Sequence, residues 1–156
     1  YVSHNIAKIE EHYIHGKKCK CCVHRKGATR ALGGDHAELT ERFRGIGQPV
    51  LVPGDMGTAS WVLAGPKNGN NDAFASSCHG AGRRLSRTAA RNSIDSIQLK
   101  KELEEKGIYV HAKTTNILSE EAPDAYKNVD DVIELTKNAA LARPVARLRP
   151  LAVIKG

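Results

Sequence analysis

The stretch SSCHGAGRRLSR, residues 76–87, places a histidine directly before three small residues and then three arginines. Small residues let an anion approach backbone N–H groups, and a helix beginning here would add its partial positive charge. Arg83 and Arg87 would share one helix face and could fork onto phosphate oxygens. The pattern predicts a phosphate site with the neutral imidazole of His79 as a nucleophile. From this segment alone, a solvated basic helix with a histidine N-cap stays open.

A second glycine-flanked turn, PGDMGTAS at residues 53–60, follows an apolar stretch. Its backbone amides and the Ser60 hydroxyl could hold a base or a phosphate, although the spacing matches neither the Walker A loop nor the dinucleotide fingerprint. An ordinary turn between two strands remains the simpler explanation of the spacing. Lys26 and Arg30 could contact a phosphate, or they could belong to a solvated charged turn. The Tyr126 ring could stack on a base, or it could lie at the edge of the core.

The cysteines do not form a pattern typical of a metal site or of a disulfide framework. Cys19, Cys21 and Cys22 fall in one predicted strand, while Cys78 lies far along the chain. Side chains alternate along a strand, so Cys22 and His24 would face away from Cys19 and Cys21, and one tetrahedral ion cannot be wrapped that way. We expect reduced thiols and a cytoplasmic location.

The bulk composition bounds the class of protein. The chain has 156 residues, 40% hydrophobic and 26% charged, and carries a net charge of +7, which favours a polyanionic partner. No apolar stretch is long enough to span a membrane, and we see no signal peptide. Because the chain lacks an initiator methionine, we expect that it begins within a longer protein.

The elements that must position these residues alternate without βαβ regularity, which predicts an α+β fold with mixed sheets and flanking helices. The last residues, 143–156, are expected to form a strand pair or ribbon, and residues 4–13 fit either a helix or a strand. Strands are predicted within GKKCKCCVHRKG, QPVLVPGDMG, ASWVLAGP and IYVHAKT, and helices within DHAELTERFRG capped by Asp35, after HGAG, within DSIQLKKELEEKG capped by Asp95, and within VDDVIELTKNAALA.

Six blocks of unusual sequence occur here in one order: HNIAKIEEH, VHRKGATRA, GQPVLVPGDMGTASWVLAG, CHGAGRRLSR, EEAPDAYKNVDDVI and a terminal VIKG. This series strongly resembles the C-terminal part of the RtcB family of RNA-splicing ligases, over nearly the full length of the chain. The resemblance implies that residues 1–156 are the C-terminal portion of a single catalytic domain with the RtcB-type fold, whose upstream part is absent here.

The resemblance also implies an activity. The family joins RNA 3′-phosphate or 2′,3′-cyclic phosphate ends to 5′-hydroxyl ends, using GTP and Mn²⁺, in tRNA splicing and RNA repair. The histidine of its HGAGR block attacks the α-phosphorus of GTP, which would make His79 the guanylylated residue. The implied partners are GTP and RNA, such as tRNA exon halves and broken RNA ends, with no membrane. An archease-type activator is a further candidate partner.

Individual roles follow from the same resemblance. His4, which by itself reads as a structural histidine, would be a metal ligand. Lys26, Arg83 and Arg87 would hold the RNA phosphate. The residues implied to contact the nucleotide are Asn5, Pro53, Gly54, Asp55, Met56, Ser60, His79, Gly80, Ala81, Gly82, Tyr126 and Lys155.

Two departures from the family pattern qualify these roles. Some members have serine where this chain has Asp55, so that residue would bind through its backbone or face the base. The family's other metal ligands, an aspartate, a cysteine and two histidines, lie upstream of this chain. We therefore expect that this piece alone neither binds the metal pair nor ligates. The rival interpretations are a non-catalytic nucleotide- or RNA-binding fragment and a structural fragment of a larger assembly.

Overall fold

The computed structural model describes residues 5–69 and 72–155, and its mixture of strands and helices confirms the α+β class. Strands lie at each end of the chain, and the α-helices lie between them in sequence. In chain order the elements are β1 (Asn5–Ile14), β2 (Lys17–Lys26), β3 (Ala28–Arg30), β4 (Pro49–Pro53), β5 (Ser60–Ala64), β6 (Ser76–Cys78), α1 (Arg87–Ser93), α2 (Ser96–Glu105), β7 (Tyr109–Ala112), α3 (Thr115–Glu120), α4 (Val129–Asn138), β8 (Arg143–Leu148) and β9 (Ala152–Lys155).

The strands form four small sheets in the part of the chain that the structure describes. β1 and β2 make an antiparallel ribbon, β3 pairs antiparallel with β6, and β7 pairs parallel with β9. The remaining sheet has the order β4-β5-β8. The expected terminal ribbon is therefore wrong, because β8 and β9 are both strands but each pairs with a strand from earlier in the chain.

The helices begin where the sequence supplies caps. The Asp95 carboxylate accepts hydrogen bonds from the N–H groups of Ile97 and Gln98 at the start of α2, as predicted. Gly107 follows α2 with a φ of +76°, a conformation that glycine adopts without strain. Among the described residues, no helix is long and apolar enough to cross a membrane.

The helix expected over residues 35–45 does not form. This segment makes turns and one 3₁₀ turn at Glu41–Phe43. Asp35 does not cap it, because its carboxylate accepts a hydrogen bond from the N–H of Gly69, 2.8 Å away. The Leu39 side chain is buried with Leu32 and Ala75, so long-range packing outweighs a weak helical pattern.

Contacts divide the chain into two compact units, which we describe separately. The first unit contains the β1–β2 ribbon and a small core around Leu32 and Ala75. The second has a larger core, formed by Met56, Leu99, Leu103, Ile108, Val110, Leu118, Ala122 and Val153. The first unit comprises residues 1–50, 63–79 and 136–145, and the second comprises residues 51–62, 80–135 and 146–156.

A buried ion-pair network holds the ribbon inside the first unit. The Arg25 guanidinium, on a residue only 3% exposed, donates to both carboxylate oxygens of Glu10 at 2.8 Å. It also donates to the Ser76 hydroxyl at 2.8 Å and to the carbonyl oxygen of Phe74 at 2.7 Å. His12 bonds to Glu10 at 3.0 Å, and its ring meets that of Phe74 edge-on at 5.3 Å. Each charge in the network therefore has a partner, which is what burial requires.

The pKa of Glu10 predicts a loss of stability in acid. Burial alone would raise this pKa, but hydrogen bonds from Arg25 and His12 outweigh it and lower the pKa from 4.5 to about 2. A depressed carboxyl pKa stabilises the fold above the unfolded value, and this contribution disappears as pH falls through the folded value. We expect the free energy of unfolding, measured by urea titration with circular dichroism, to fall between pH 4.5 and 2. The Glu10→Gln variant should have a lower free energy of unfolding at pH 6, and that free energy should change less with pH over this range. An equal pH dependence in the native chain and the variant would contradict this prediction.

Candidate active site

His79 directly follows β6 and is half-buried, and the small residues after it do not begin a helix. α1 starts only at Arg87, because the Ser86 hydroxyl accepts the N–H of Ala89 and so caps it there. Gly82 has a φ of +78°, which ends any regular conformation at that point. The expectation of a helix N-terminus at the glycines is therefore wrong.

The same boundary separates Arg83 from Arg87. Arg83 lies before α1 and forms an isolated β-bridge with Tyr126, whereas Arg87 is the first residue of α1. The two arginines therefore do not share a helix face as predicted. The Arg87 side chain is exposed, and its Nε lies 4.0 Å from an oxygen of Glu120.

Backbone hydrogen bonds in the second unit join three of the predicted blocks. The N–H of Ala81 donates to the carbonyl oxygen of Pro53 at 3.0 Å, which attaches the HGAG block to the PGDMG turn. The Gly82 carbonyl accepts the N–H of Lys127 at 2.9 Å, which attaches it to the DAYKN block. In the described part of the chain, Gly80 and Gly82 make no backbone hydrogen bond through their N–H groups, so these two amides, unlike that of Ala81, are available to an anion.

The PGDMG turn is folded by its own aspartate. The Asp55 carboxylate accepts the N–H of Gly57 at 2.8 Å and that of Thr58 at 3.0 Å, and Thr58 also donates its hydroxyl at 2.7 Å. Asp55 therefore closes an Asx turn, and its carboxylate oxygens are already engaged. This arrangement favours a backbone contact over a side-chain contact for any ligand at this residue.

Other residues of the turn have structural contacts too. The Ser60 hydroxyl accepts the N–H of Gly54 at 3.4 Å. A Cβ at Gly54 would lie 2.0 Å from the carbonyl oxygen of Ala59, so only glycine fits there. The Met56 side chain is buried in the core of the second unit, which leaves only its backbone to line a site.

Three side chains, from Arg83, Tyr126 and Lys155, meet at the carboxylate of Glu121. Its carboxylate accepts the Tyr126 hydroxyl at 2.6 Å, lies 3.4 Å from Nη1 of Arg83, and lies 3.6 Å from Nζ of Lys155. The Arg83 guanidinium lies 4.8 Å from the centre of the Tyr126 ring and donates to its hydroxyl at 3.0 Å. Three of the predicted ligand-contacting residues thus converge on a carboxylate that the sequence analysis did not select.

The charges in this cluster perturb its acid groups. Burial would raise the pKa of Glu121, but the hydrogen bond from Tyr126 and the charges of Lys155 and Arg83 lower it overall. Burial raises the pKa of Tyr126, and the hydrogen bond to the Glu121 carboxylate raises it further. Both groups are therefore held in their ordinary charge states, Glu121 ionised and Tyr126 neutral.

A cavity of about 490 Å³ opens beside this cluster within the second unit. Tyr126, Asp55 and Thr58 are part of its wall. Asp130, also in the wall, is held by the Trp61 indole at 2.7 Å and by Arg147 at 2.9 Å. The volume matches small-molecule sites in proteins, which commonly lie between roughly 300 and 1,000 Å³.

Arg84 is a second residue of this region that no sequence motif indicated. It lines the cavity and is exposed, and its guanidinium makes no hydrogen bond or ion pair within the described part of the chain. Arg83, which was predicted to hold a phosphate, instead donates to Glu120, Leu85, Tyr126 and Glu121. Neighbouring arginines look alike in a sequence, and only the contacts distinguish the engaged one from the available one.

The remaining predicted residues belong to the first unit. Asn5 is exposed and its side-chain oxygen is hydrogen-bonded to Nε2 of His24. Lys26 is exposed and pairs with Asn5 across the ribbon. His4 lies outside the described residues. Within residues 5–69 and 72–155, no group of three or more His, Cys, Asp and Glu side chains could hold a metal ion.

Comparison with known proteins establishes the family. The profile of the tRNA-splicing ligase RtcB family matches residues 1–156, and the chain belongs to this family. It is 53% identical over 155 residues to the tRNA-splicing ligase RtcB of Thermococcus kodakarensis, covering 99% of this chain and 32% of the relative. The Archaeoglobus fulgidus protein of the same name gives the same three percentages. The RNA-splicing ligase RtcB of Mycobacterium tuberculosis is 51% identical over 155 residues, 99% of this chain and 35% of the relative. The chain therefore spans about a third of the length of these relatives.

Proposed function

We propose that this chain is part of a GTP- and Mn²⁺-dependent RNA ligase that joins RNA 3′-phosphate or 2′,3′-cyclic phosphate ends to 5′-hydroxyl ends. The observation that supports it most strongly is the meeting of three family blocks in one unit. The Pro53 carbonyl binds Ala81, Gly82 binds Lys127, and Tyr126 adjoins Arg83, so the segment after His79 lies between a turn and an aromatic ring. A phosphate and a base are the two chemical groups that such surroundings suit.

In this proposal His79 is the nucleophile. A ring nitrogen attacks the α-phosphorus of GTP, an N–P bond forms, the bond to the bridging oxygen breaks, and diphosphate leaves. A 2′,3′-cyclic end is first opened by water to a 3′-phosphate. An oxygen of the RNA 3′-phosphate then attacks the guanylate phosphorus, and the N–P bond to His79 breaks. The 5′-hydroxyl oxygen attacks the 3′-phosphorus, gives up its proton to solvent and releases GMP. The N–H groups of Gly80 and Gly82 are suited to stabilise negative charge on the phosphoryl oxygens.

Manganese belongs to the proposal through the family resemblance alone. The described residues contain no cluster of metal-ligating side chains, and His4 lies outside them. The described residues therefore do not form a complete metal site, and we assign the metal no step of the reaction. The proposal also includes RNA contacts by Lys26, Arg83 and Arg87, and we add Arg84 because it is an exposed cation that lines the cavity. An archease-type activator and tRNA exon halves as substrates are further parts of it that rest on the resemblance.

The position of the radioactive label tests the proposal. A protein of the relatives' full length that contains residues 1–156, called the full chain below, is incubated with manganese and GTP labelled in either the α- or the γ-phosphate, then denatured. We expect α-label to remain on the protein and γ-label to be lost with diphosphate. A GTP-dependent rise in thermal stability with no retained label would instead favour the non-catalytic nucleotide-binding alternative. Absence of both effects would favour the structural fragment.

Glu121 is expected to position Arg83, Tyr126 and Lys155, the residues of the second unit that contact its carboxylate. The Glu121→Gln variant keeps the size of the side chain but removes the charge that faces Lys155 and Arg83. We expect the KM for GTP in the labelling reaction to rise on the order of tenfold while kcat changes little, because one charged hydrogen-bonding partner is worth about 1.5 kcal/mol.

Glu104→Gln is the matched control, since Glu104 is an exposed glutamate on α2 that faces Lys100 at 3.7 Å. Its KM should stay at the native value. An equal loss of kcat and thermal stability in Glu121→Gln, without a KM effect, would show that Glu121 supports only the fold.

A further inference from the structure

The β1–β2 ribbon has one face that is entirely exposed. Residues directly opposite each other in an antiparallel pair point to the same side of the ribbon. We call the exposed side the outer face, and all ten of its residues are exposed. It is formed by the pairs Asn5–Lys26, Ala7–His24, Ile9–Cys22, Glu11–Lys20 and Tyr13–Lys18.

The opposite face fixes the ribbon in place. It carries the buried Glu10, His12 and Arg25, which bond to each other and to Ser76 and Phe74. A ribbon held by buried charge-assisted hydrogen bonds presents its outer face in one conformation. A partner that binds there therefore spends little free energy on ordering the surface.

The ribbon also concentrates the positive charge of the chain. Residues 5–26 contain six of its 24 lysines and arginines and two of its 17 acidic residues, so they carry +4 of the net +7. Arg25 and Glu10 neutralise each other in the interior. Of the five exposed lysines, Lys18, Lys20 and Lys26 lie on the outer face. Glu11 is the one acidic residue among the ten on that face, and it pairs with Lys18 at 2.8 Å. A surface of this sign attracts a polyanion.

An aromatic ring lies among these lysines. Tyr13 is 77% exposed and faces Lys18 across the ribbon, near the turn at His15 and Gly16. Exposed aromatic rings beside cations are the usual platform for unpaired bases, because a base stacks on the ring while the cations contact the backbone. A duplex keeps its bases stacked on one another and cannot use the ring in this way.

We propose that the outer face of the β1–β2 ribbon binds single-stranded RNA, through Tyr13 and the lysines that surround it. The inference rests on the proposed function only in taking RNA as the substrate. The ribbon is then a surface that holds the RNA strand by its backbone and one base, and Lys26, already proposed as an RNA contact, lies on the same face.

The salt dependence of RNA binding tests this surface. Binding of a labelled single-stranded RNA to the full chain is measured by fluorescence anisotropy from 50 to 300 mM salt, without GTP or divalent metal. The triple variant Lys18→Gln, Lys20→Gln, Lys26→Gln removes the three lysines of the outer face. Each lost phosphate contact should lower the slope of log K against log salt by about 0.7, so we expect the slope to become shallower by about 2. At 0.1 M salt the same change lowers the affinity on the order of 100-fold.

A matched variant controls for net charge. Lys100→Gln, Lys101→Gln, Lys106→Gln removes three exposed lysines from α2 and its C-cap, and its slope should differ from the native one by less than about 0.5. Equal slopes in the two triple variants would overturn the proposal. Unchanged RNA binding in the ribbon variant, with loss of a protein complex on gel filtration, would also overturn it.

Variants of Tyr13 distinguish the binding of single-stranded RNA from the binding of duplex RNA. Tyr13→Ala should weaken single-strand binding on the order of tenfold with an unchanged salt slope, and Tyr13→Phe should retain native affinity. An equal loss for a duplex RNA would overturn the single-strand assignment. Failure of the proposed function would appear instead as an absence of guanylate label on the native chain, which leaves this measurement unaffected.

Discussion

Replacing His79 by alanine in the full chain is expected to abolish guanylate labelling from α-labelled GTP and to lower RNA joining by on the order of 1,000-fold or more. The reason is chemical, since alanine has no lone pair that can form the bond to phosphorus. His79 is half-buried and precedes Gly80 and Gly82, so the substitution removes the proposed nucleophile without creating a large core cavity. Thermal stability should therefore stay close to the native value.

His36→Ala is the matched control for this prediction. His36 is also half-buried in the first unit, and its ring accepts the N–H of Glu38 in a turn. This variant should take up label at the native level. Labelling that persists in His79→Ala would contradict the assignment of the nucleophile. Labelling lost equally in both variants would point to a folding defect in place of a chemical one.

Replacing Arg25 by alanine is expected to have the largest effect on stability. It removes one partner of a buried ion pair and leaves the Glu10 carboxylate and the Phe74 carbonyl without their guanidinium donor. Breaking a buried pair in this way costs about 3–5 kcal/mol, because the remaining charge stays away from water. Hydrogen exchange at pH 7 should show this as a loss of protection of the β1 and β2 amides by about two to four orders of magnitude.

Arg147 supplies the comparison, because it pairs with Asp130 in a similar forked geometry but with its side chain 47% exposed. Arg147→Ala should cost no more than about 1 kcal/mol, as exposed pairs do. Arg25→Lys should fall between the native chain and Arg25→Ala, since a lysine keeps the charge but cannot make both bonds to Glu10. Equal losses in Arg25→Ala and Arg147→Ala would contradict the role of burial.

Local signals were enough to predict several elements. Asp95 followed by an amphipathic run predicts α2, and the apolar stretches around Val50 and Leu63 predict β4 and β5. The determinants of such elements lie within a few residues of one another, in the cap, the periodicity and the stop. The weak helical pattern at residues 35–45 failed because packing of Leu39 with Leu32 and Ala75 outweighed it.

By itself the sequence determined the α+β class, the strong local elements and the order of blocks that relates the chain to the RtcB family. Only the tertiary structure decided which partners these elements take, as when β8 pairs with β5 and β9 with β7. The tertiary structure also shows that the Arg83 guanidinium is hydrogen-bonded to Tyr126 and Glu121, which are 43 and 38 residues away in the chain. The Arg84 guanidinium has no such partner in the described part of the chain. The physical reason is that the free energy of a side-chain contact depends on distance and burial in space, which neither residue type nor spacing along the chain encodes.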